Sequence, residues 1–250
     1  MVQLSVVIIT YNEEINIERC IDSVSSIADE ILVVDSFSTD KTKEMCEAKG
    51  VRFLTNVFEG YIEQKHFATS QATHDYVLSI DADECLSEEL EASIRDVKNN
   101  WMFDGYKFNR LNNYCGKWIR HCGWYPDKKL RLLDRTKGNW QGINPHDEYI
   151  IENRNVGYLK GNLFHYPFDT IDQHKKQIDF FSDVSAKALF DQGKKSNFIL
   201  PIVKAAAKFI QSYFLKLGFL DGYYGLLICS LSSGAKYKKY KKLRLLNKRS

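Results

Sequence analysis

Short runs of consecutive aliphatic residues alternate with stretches of helical periodicity through the first hundred positions. That alternation restricts the chain to βαβ units and hence to a mainly parallel sheet flanked by helices. Residues 4–9 (LSVVII) form a near-continuous apolar run, as a strand buried on both faces requires. Asn12-Glu13-Glu14 then opens an amphipathic stretch with Ile17, Ile21 and Val24 at helical spacing. Residues 31–34 read as a second buried strand, and Asp40 is placed to cap a helix over 41–49 that Gly50 ends. Residues 51–54 and 76–80 read as further strands, with helices over 62–72 and 87–98.

From about residue 105 to 165 the pattern shifts to short β-like runs (106–109, 129–133 and 157–165) separated by Gly, Pro and Asn, the mark of mixed or antiparallel sheet with long loops. Beyond residue 170 the chain reads as helical, with strongly apolar segments at 199–217 and 220–231. The expected organisation is an α/β domain over residues 1–168 and a helical, basic extension over 169–250.

With 44% hydrophobic and 27% charged residues, the composition argues for a globular chain rather than a disordered one. No stretch offers about 20 uninterrupted apolar residues, and the first strand-like run begins at once, so neither a spanning segment nor a signal peptide is expected. The six cysteines are scattered without a CxxC pair, which suits reduced thiols better than a zinc site. Charge is uneven: from Lys236 onward there are eight Lys and Arg and no acid, whereas the preceding body carries an excess of acids. The acidic body argues against nucleic acid as a partner.

In open parallel sheets ligands bind beyond the carboxyl ends of the strands. Three of those predicted ends are polar: Thr10-Tyr11-Asn12, Asp35, and Asp81-Ala82-Asp83-Glu84. Two carboxylates at i and i+2 suit Mg²⁺ or Mn²⁺ shared with a diphosphate, an ion that stabilises charge on the leaving group. Surface turns also produce this tripeptide; its place directly after a buried strand is what distinguishes it here. Asp35 is suited to hydrogen bonding with a ribose or base, and also to capping, although Asp40 is better placed for the latter. His146-Asp147-Glu148 supplies a second acidic position, where a general base could deprotonate an attacking hydroxyl.

Residues 6–14 (VVIITYNEE), 31–40 (ILVVDSFSTD), 60–65 (GYIEQK) and 79–84 (SIDADE) together resemble family 2 inverting glycosyltransferases of the GT-A fold. Residues 124–133 (WYPDKKLRLL), 142–148 (GINPHDE) and 219–226 (FLDGYYGL) extend the likeness to lipopolysaccharide core β-1,4-glucosyltransferases, so that it covers nearly the whole chain. The resemblance implies that Thr10, Asn12 and Glu13 line a nucleotide pocket, with Asp35 on the base or ribose. It implies Gln64 and Lys65 near the nucleotide or diphosphate, Asp81 and Asp83 on the sugar nucleotide and metal, and Arg131 on the diphosphate or acceptor. Asp83 is the expected direct metal ligand. Many relatives have a single acid after the histidine; here Asp147 and Glu148 are adjacent, and Asp147 is favoured as the base.

The implied reaction is transfer of a hexose, with UDP-glucose the favoured donor, to a lipopolysaccharide-core or other cell-surface acceptor carried on lipid, giving a β-linked product. The apolar C-terminal helices beside a basic run suggest peripheral attachment to an anionic membrane surface on its cytoplasmic side. Two other readings are a non-catalytic nucleotide-sugar-binding protein and a transferase for another nucleotide sugar. A nucleotidyltransferase fits less well, because Thr10-Tyr11-Asn12-Glu13 is not a Gly-rich phosphate loop.

Overall fold

Apolar side chains occupy both faces of the central strands, which are accordingly aliphatic between their ends apart from buried Ser5 and Ser79. Leu4, Val6 and Ile8 join a core with Ile17, Ile21, Leu90 and Ile94, whereas Val7 and Ile9 point into a second core with Ala68, Trp140 and Tyr149. Full burial of each such aliphatic side chain stabilises the fold by roughly 1.5–3 kcal/mol.

The computed structural model describes residues 1–143 and 146–249. Asn144 and Pro145, inside the 142–148 motif, and Ser250, at the end of the basic run, lie outside the described residues, as do the side chains of residues 143, 146 and 249. The elements in order are β1 (Leu4–Thr10), α1 (Ile17–Val24), β2 (Glu30–Asp35), α2 (Thr42–Ala48), β3 (Arg52–Thr55), α3 (Tyr61–Gln71), β4 (Tyr76–Asp81), β5 (Glu84–Leu86) and α4 (Glu88–Asn99). There follow β6 (Gly105–Tyr114), β7 (Lys117–Ile119), β8 (Asp127–Asp134), β9 (Gly138–Ile143), β10 (His146–Ile151), β11 (Val156–Phe168), α5 (Ile171–Asp191), α6 (Leu200–Phe209) and α7 (Gly222–Arg249).

The chain divides into two compact units, one comprising Met1–Arg110 with Asp127–Tyr166 and the other Leu111–Pro126 with Pro167–Ser250. Thus a segment between β6 and β8 groups with the C-terminal helices rather than with the sheet that precedes it.

The main sheet has strand order β3-β2-β1-β4-β8-β6-β11-β5, with β7 beside β6. Within the first unit β3, β2, β1 and β4 run parallel, and β8 joins β4 antiparallel. The expected strands and helices up to residue 99 are present, with ends shifted by a residue or more. The hairpin β9–β10, which the sequence pattern does not announce, pairs antiparallel. Its alternate residues Trp140, Tyr149 and Ile151 pack into the second core, while Gly and Asn at other positions hide the period.

In the second unit α7 extends the expected apolar helix through the basic run. Two carboxylates of α5 meet it there: Lys238 Nζ is 2.5 Å from Asp179 and Lys242 Nζ 2.7 Å from Asp183. Between α6 and α7 the chain forms a π-helical turn (Ile210–Leu215) and a 3-10 turn (Gly218–Asp221). Gly225 permits this bend, since a Cβ there would lie 1.9 Å from the Gly218 carbonyl oxygen. Buried Asp221 ties the turn to the 120–122 loop, accepting from the backbone N–H of His121 at 2.8 Å and lying 3.0 Å from its Nδ1. That tie gives the aspartate of the 219–226 motif a structural role.

Candidate active site

Strand register assembles the site. Thr10 lies opposite Asp35 on β2, and Ile9 lies opposite Asp81 on β4, so three polar side chains emerge at the carboxyl ends of adjacent parallel strands.

On the β1–β2 side the predicted nucleotide-binding residues lace two loops together. Asp35 is buried and accepts from the Ser38 backbone N–H at 2.8 Å and from its hydroxyl. Asn12, at φ 54°, accepts from the Thr39 N–H at 2.8 Å, and its own N–H donates to Ser38 Oγ at 2.7 Å. The Glu13 carboxylate accepts from Asn16, and its N–H donates to Thr42 Oγ1 at 2.9 Å. Buried Gln64 donates to Ser36 Oγ at 3.1 Å and accepts from Asn56 at 2.9 Å. Asp40, two positions before the first residue of α2, accepts from the Thr42 N–H at 3.0 Å and from its hydroxyl at 2.6 Å, while Lys41 occupies the cap position itself.

The second group is more strongly charged. Lys65 is 1% exposed; its Nζ donates to Asp147 Oδ2 at 2.8 Å and to Asp81 Oδ2 at 3.3 Å, and lies 3.0 Å from Asp81 Oδ1. Arg131, also buried, donates from Nη1 to Asp147 Oδ2 at 3.1 Å, and its Nη2 is 3.7 Å from Asp81. The Trp140 ring closes one side, with its centroid 5.4 Å from Lys65 Nζ and 5.3 Å from the Arg131 guanidinium carbon. Burial pushes the Asp81 and Asp147 carboxyls up, but the charges of Lys65 and Arg131 outweigh it and hold both below their ordinary range. Glu148 is exposed, because successive residues of β10 point to opposite faces. The two adjacent acids are thereby separated, with Asp147 alone joining the cluster.

Three residues that sequence reasoning left without a role complete this surface. His165 Nε2 is 3.2 Å from Asp83 Oδ2. The Glu84 side chain is fully buried; it accepts from the Asp81 N–H at 3.0 Å and from Arg110 at 3.2 Å. Arg110 in turn pairs with Asp127 at 2.9 Å. A histidine at the end of a predicted strand was the one available signal; the Glu84–Arg110 pairing spans 26 positions and left none.

Two buried polar atoms at this edge, Thr10 Oγ1 and Arg131 Nε, lack a hydrogen-bond partner among the described residues. Buried polar groups are normally satisfied, so these two atoms are open to a polar ligand.

Residues 5–147 match the model of the glycosyl transferase family 2. The chain belongs to that family. An uncharacterized glycosyltransferase of Rickettsia typhi is 33% identical to this enzyme over 263 residues, covering 100% of this chain and 89% of the relative. The lipopolysaccharide core biosynthesis glycosyltransferase LpsC of Rhizobium meliloti is 27% identical, covering 95% and 93%. A crystal structure of glucosyl-3-phosphoglycerate synthase from Mycobacterium tuberculosis, in complex with Mn²⁺, UDP and glucosyl-3-phosphoglycerate, is similar over 45% of this chain and 44% of that one, at 26% identity and a TM-score of 0.38.

The glycosyltransferase has the expected mainly parallel sheet flanked by helices. Among its described residues no three His, Cys, Asp or Glu side chains are grouped to hold a metal ion by themselves. Asp83 and His165 nonetheless fit a shared ion, since Mg²⁺ and Mn²⁺ sites of this kind use one or two protein ligands and take the rest from substrate phosphates. Asp81, by contrast, is turned towards Lys65 and Arg131.

Proposed function

We propose that this glycosyltransferase moves a hexose from a UDP-hexose, with UDP-glucose the favoured donor, to a hydroxyl of a lipid-linked lipopolysaccharide-core or other cell-surface glycan, with inversion to a β-linked product. The observation that carries the chemistry is the placement of Asp147, and not Glu148, against Lys65 and Arg131 beside the Asp81-Ala82-Asp83 turn. The name of the R. meliloti relative supports the acceptor class.

On this reading Thr10, Asn12, Glu13, Asp35 and Gln64 shape the nucleotide pocket. Lys65 and Arg131 face the donor diphosphate and Asp81. Asp147 takes the proton from the acceptor hydroxyl as its oxygen attacks the anomeric carbon. Asp83 and His165 would hold a divalent cation, which when bound neutralises charge on the departing diphosphate. Trp140 walls the two cations from water on one side and strengthens their pull on an anionic ligand.

The test is transfer and hydrolysis from a panel of nucleotide sugars with Mn²⁺, Mg²⁺ or chelator, alongside Asp83→Ala. Metal-dependent UDP release from one donor, lost in the variant, supports the reading. Turnover of only a non-uridine donor, or binding without turnover on any acceptor, overturns it.

A further inference from the structure

The second unit carries an apolar surface whose residues have no part in the proposed transfer. Ile199, Val203, Ile210 and Phe214 succeed one another at helical spacing along α6 and the π-helical turn, and each is at least half exposed. Leu215 (74% exposed) and Leu220 (57%) extend the surface around the bend. Monomeric proteins seldom leave an apolar patch of this extent uncovered.

Charge identifies what covers it. Between residues 192 and 250 the chain has thirteen Lys and Arg and one acid, Asp221, which is buried under the 120–122 loop. Lys204, Lys208 and Lys216 lie within the apolar segment itself. A second copy of this chain would bring like-charged rims together, whereas an anionic lipid surface offers both an apolar interior and complementary headgroups.

Length decides how deep the segment goes. No single described helix is long and apolar enough to cross a membrane, and the two arms Leu200–Leu215 and Gly218–Lys248 meet at a 72° bend. At ~1.5 Å per residue the first arm is about 24 Å long, short of the ~30 Å hydrocarbon core. We infer that the bend between α6 and α7 inserts shallowly into one leaflet of an anionic bilayer as a re-entrant wedge, with Lys216 reaching back from it to the headgroups that Lys204 and Lys208 also meet. The bend supplies the apolar part of the binding and the basic run adds charge, of which Lys238 and Lys242 are shared with carboxylates of α5.

The experiment is flotation of the full chain with vesicles of phosphatidylcholine alone or mixed with phosphatidylglycerol, at low and high salt. Co-flotation should be at least about tenfold greater with the anionic vesicles and should weaken with salt without vanishing. Phe214→Glu with Leu215→Glu should lower partitioning about tenfold or more while leaving donor hydrolysis in solution unchanged. The milder Ile199→Ser with Val203→Ser serves if the first pair fails to fold. Unchanged flotation of a folded variant overturns the inference. So does a wild-type protein that ignores both vesicles but sediments as an oligomer which the substitutions dissociate.

Discussion

Lys65 on α3 donates to Asp147 on β10 across 2.8 Å, although 82 positions separate them in sequence. With Arg131 at 3.1 Å from the same oxygen, the proposed base is neutralised by two buried cations. A carboxylate so paired is a weak base until something else draws those cations away, and a nucleoside diphosphate is suited to do so.

The pH dependence of turnover should therefore differ between free and donor-bound enzyme. The acid limb of kcat/KM reports free enzyme and that of kcat reports the bound complex. The kcat limb should lie at higher pH. Lys65→Met should raise the kcat/KM limb by about one pH unit, since removing a cation lets the Asp147 carboxyl rise, and Lys65→Arg should largely restore it. Coincident limbs in wild type and Lys65→Met would sink the idea.

Asp147→Asn should lower kcat by about 10²–10⁴ while donor affinity changes only a few-fold. Glu148→Gln, on the outward face of β10, should stay within about twofold of wild type. A steady-state comparison of the two variants decides which acid serves, and the reverse pattern would move the role to Glu148.

Asp83→Ala and His165→Ala should each weaken Mn²⁺-dependent UDP binding, measured by calorimetry, by about tenfold or more. UDP binding in chelator should be the same in both variants as in wild type. If His165→Ala binds Mn²⁺ and UDP normally, its contact with Asp83 has only a packing role.

Glu84→Ala should destabilise the first unit by about 2–4 kcal/mol, because it leaves the Asp81 N–H without its acceptor and Arg110 with Asp127 alone. Urea unfolding checks this; a loss below about 1 kcal/mol would show that water replaces the carboxylate at little cost.

His174 gives the second unit an acid sensitivity. It is buried, bonds Tyr114 Oη through Nδ1 at 2.9 Å and stacks on Phe168, and burial lowers its pKa from 6.5 to about 4. Between those values the unfolded chain takes up a proton that the folded chain refuses. Stability should accordingly fall as pH drops from about 6.5 to about 4, by roughly 2–3 kcal/mol in all. His174→Gln should flatten that part of a stability-against-pH curve, and an unchanged slope would assign the sensitivity elsewhere.

Most of the parallel half of the fold was legible from local pattern. A strand buried on both faces can hold little but aliphatic residues, so β1, β2 and β4 are marked by their own composition, and the polar residues that end them stand out against it. The hairpin β9–β10 was not legible, because it buries alternate residues against α3 and the sheet, and its remaining positions carry Gly, Asn and Gln. The second unit was legible only as helix: that Leu111–Pro126 belongs to it depends on what those residues touch, which no local pattern encodes.

Local pattern and motif were enough to mark the family, the sheet that carries Thr10, Asp35 and Asp81, and the stock of acids from which a site is made. Which charges meet was settled only by the closing of the chain. Strand alternation turned Asp147 inward and Glu148 outward, and chain reversal brought Lys65, Arg131 and His165 to the acids of the Asp81-Ala82-Asp83 turn. An ion pair acts across a few ångströms whatever the separation along the chain, so its partners are fixed only when the chain has closed on itself.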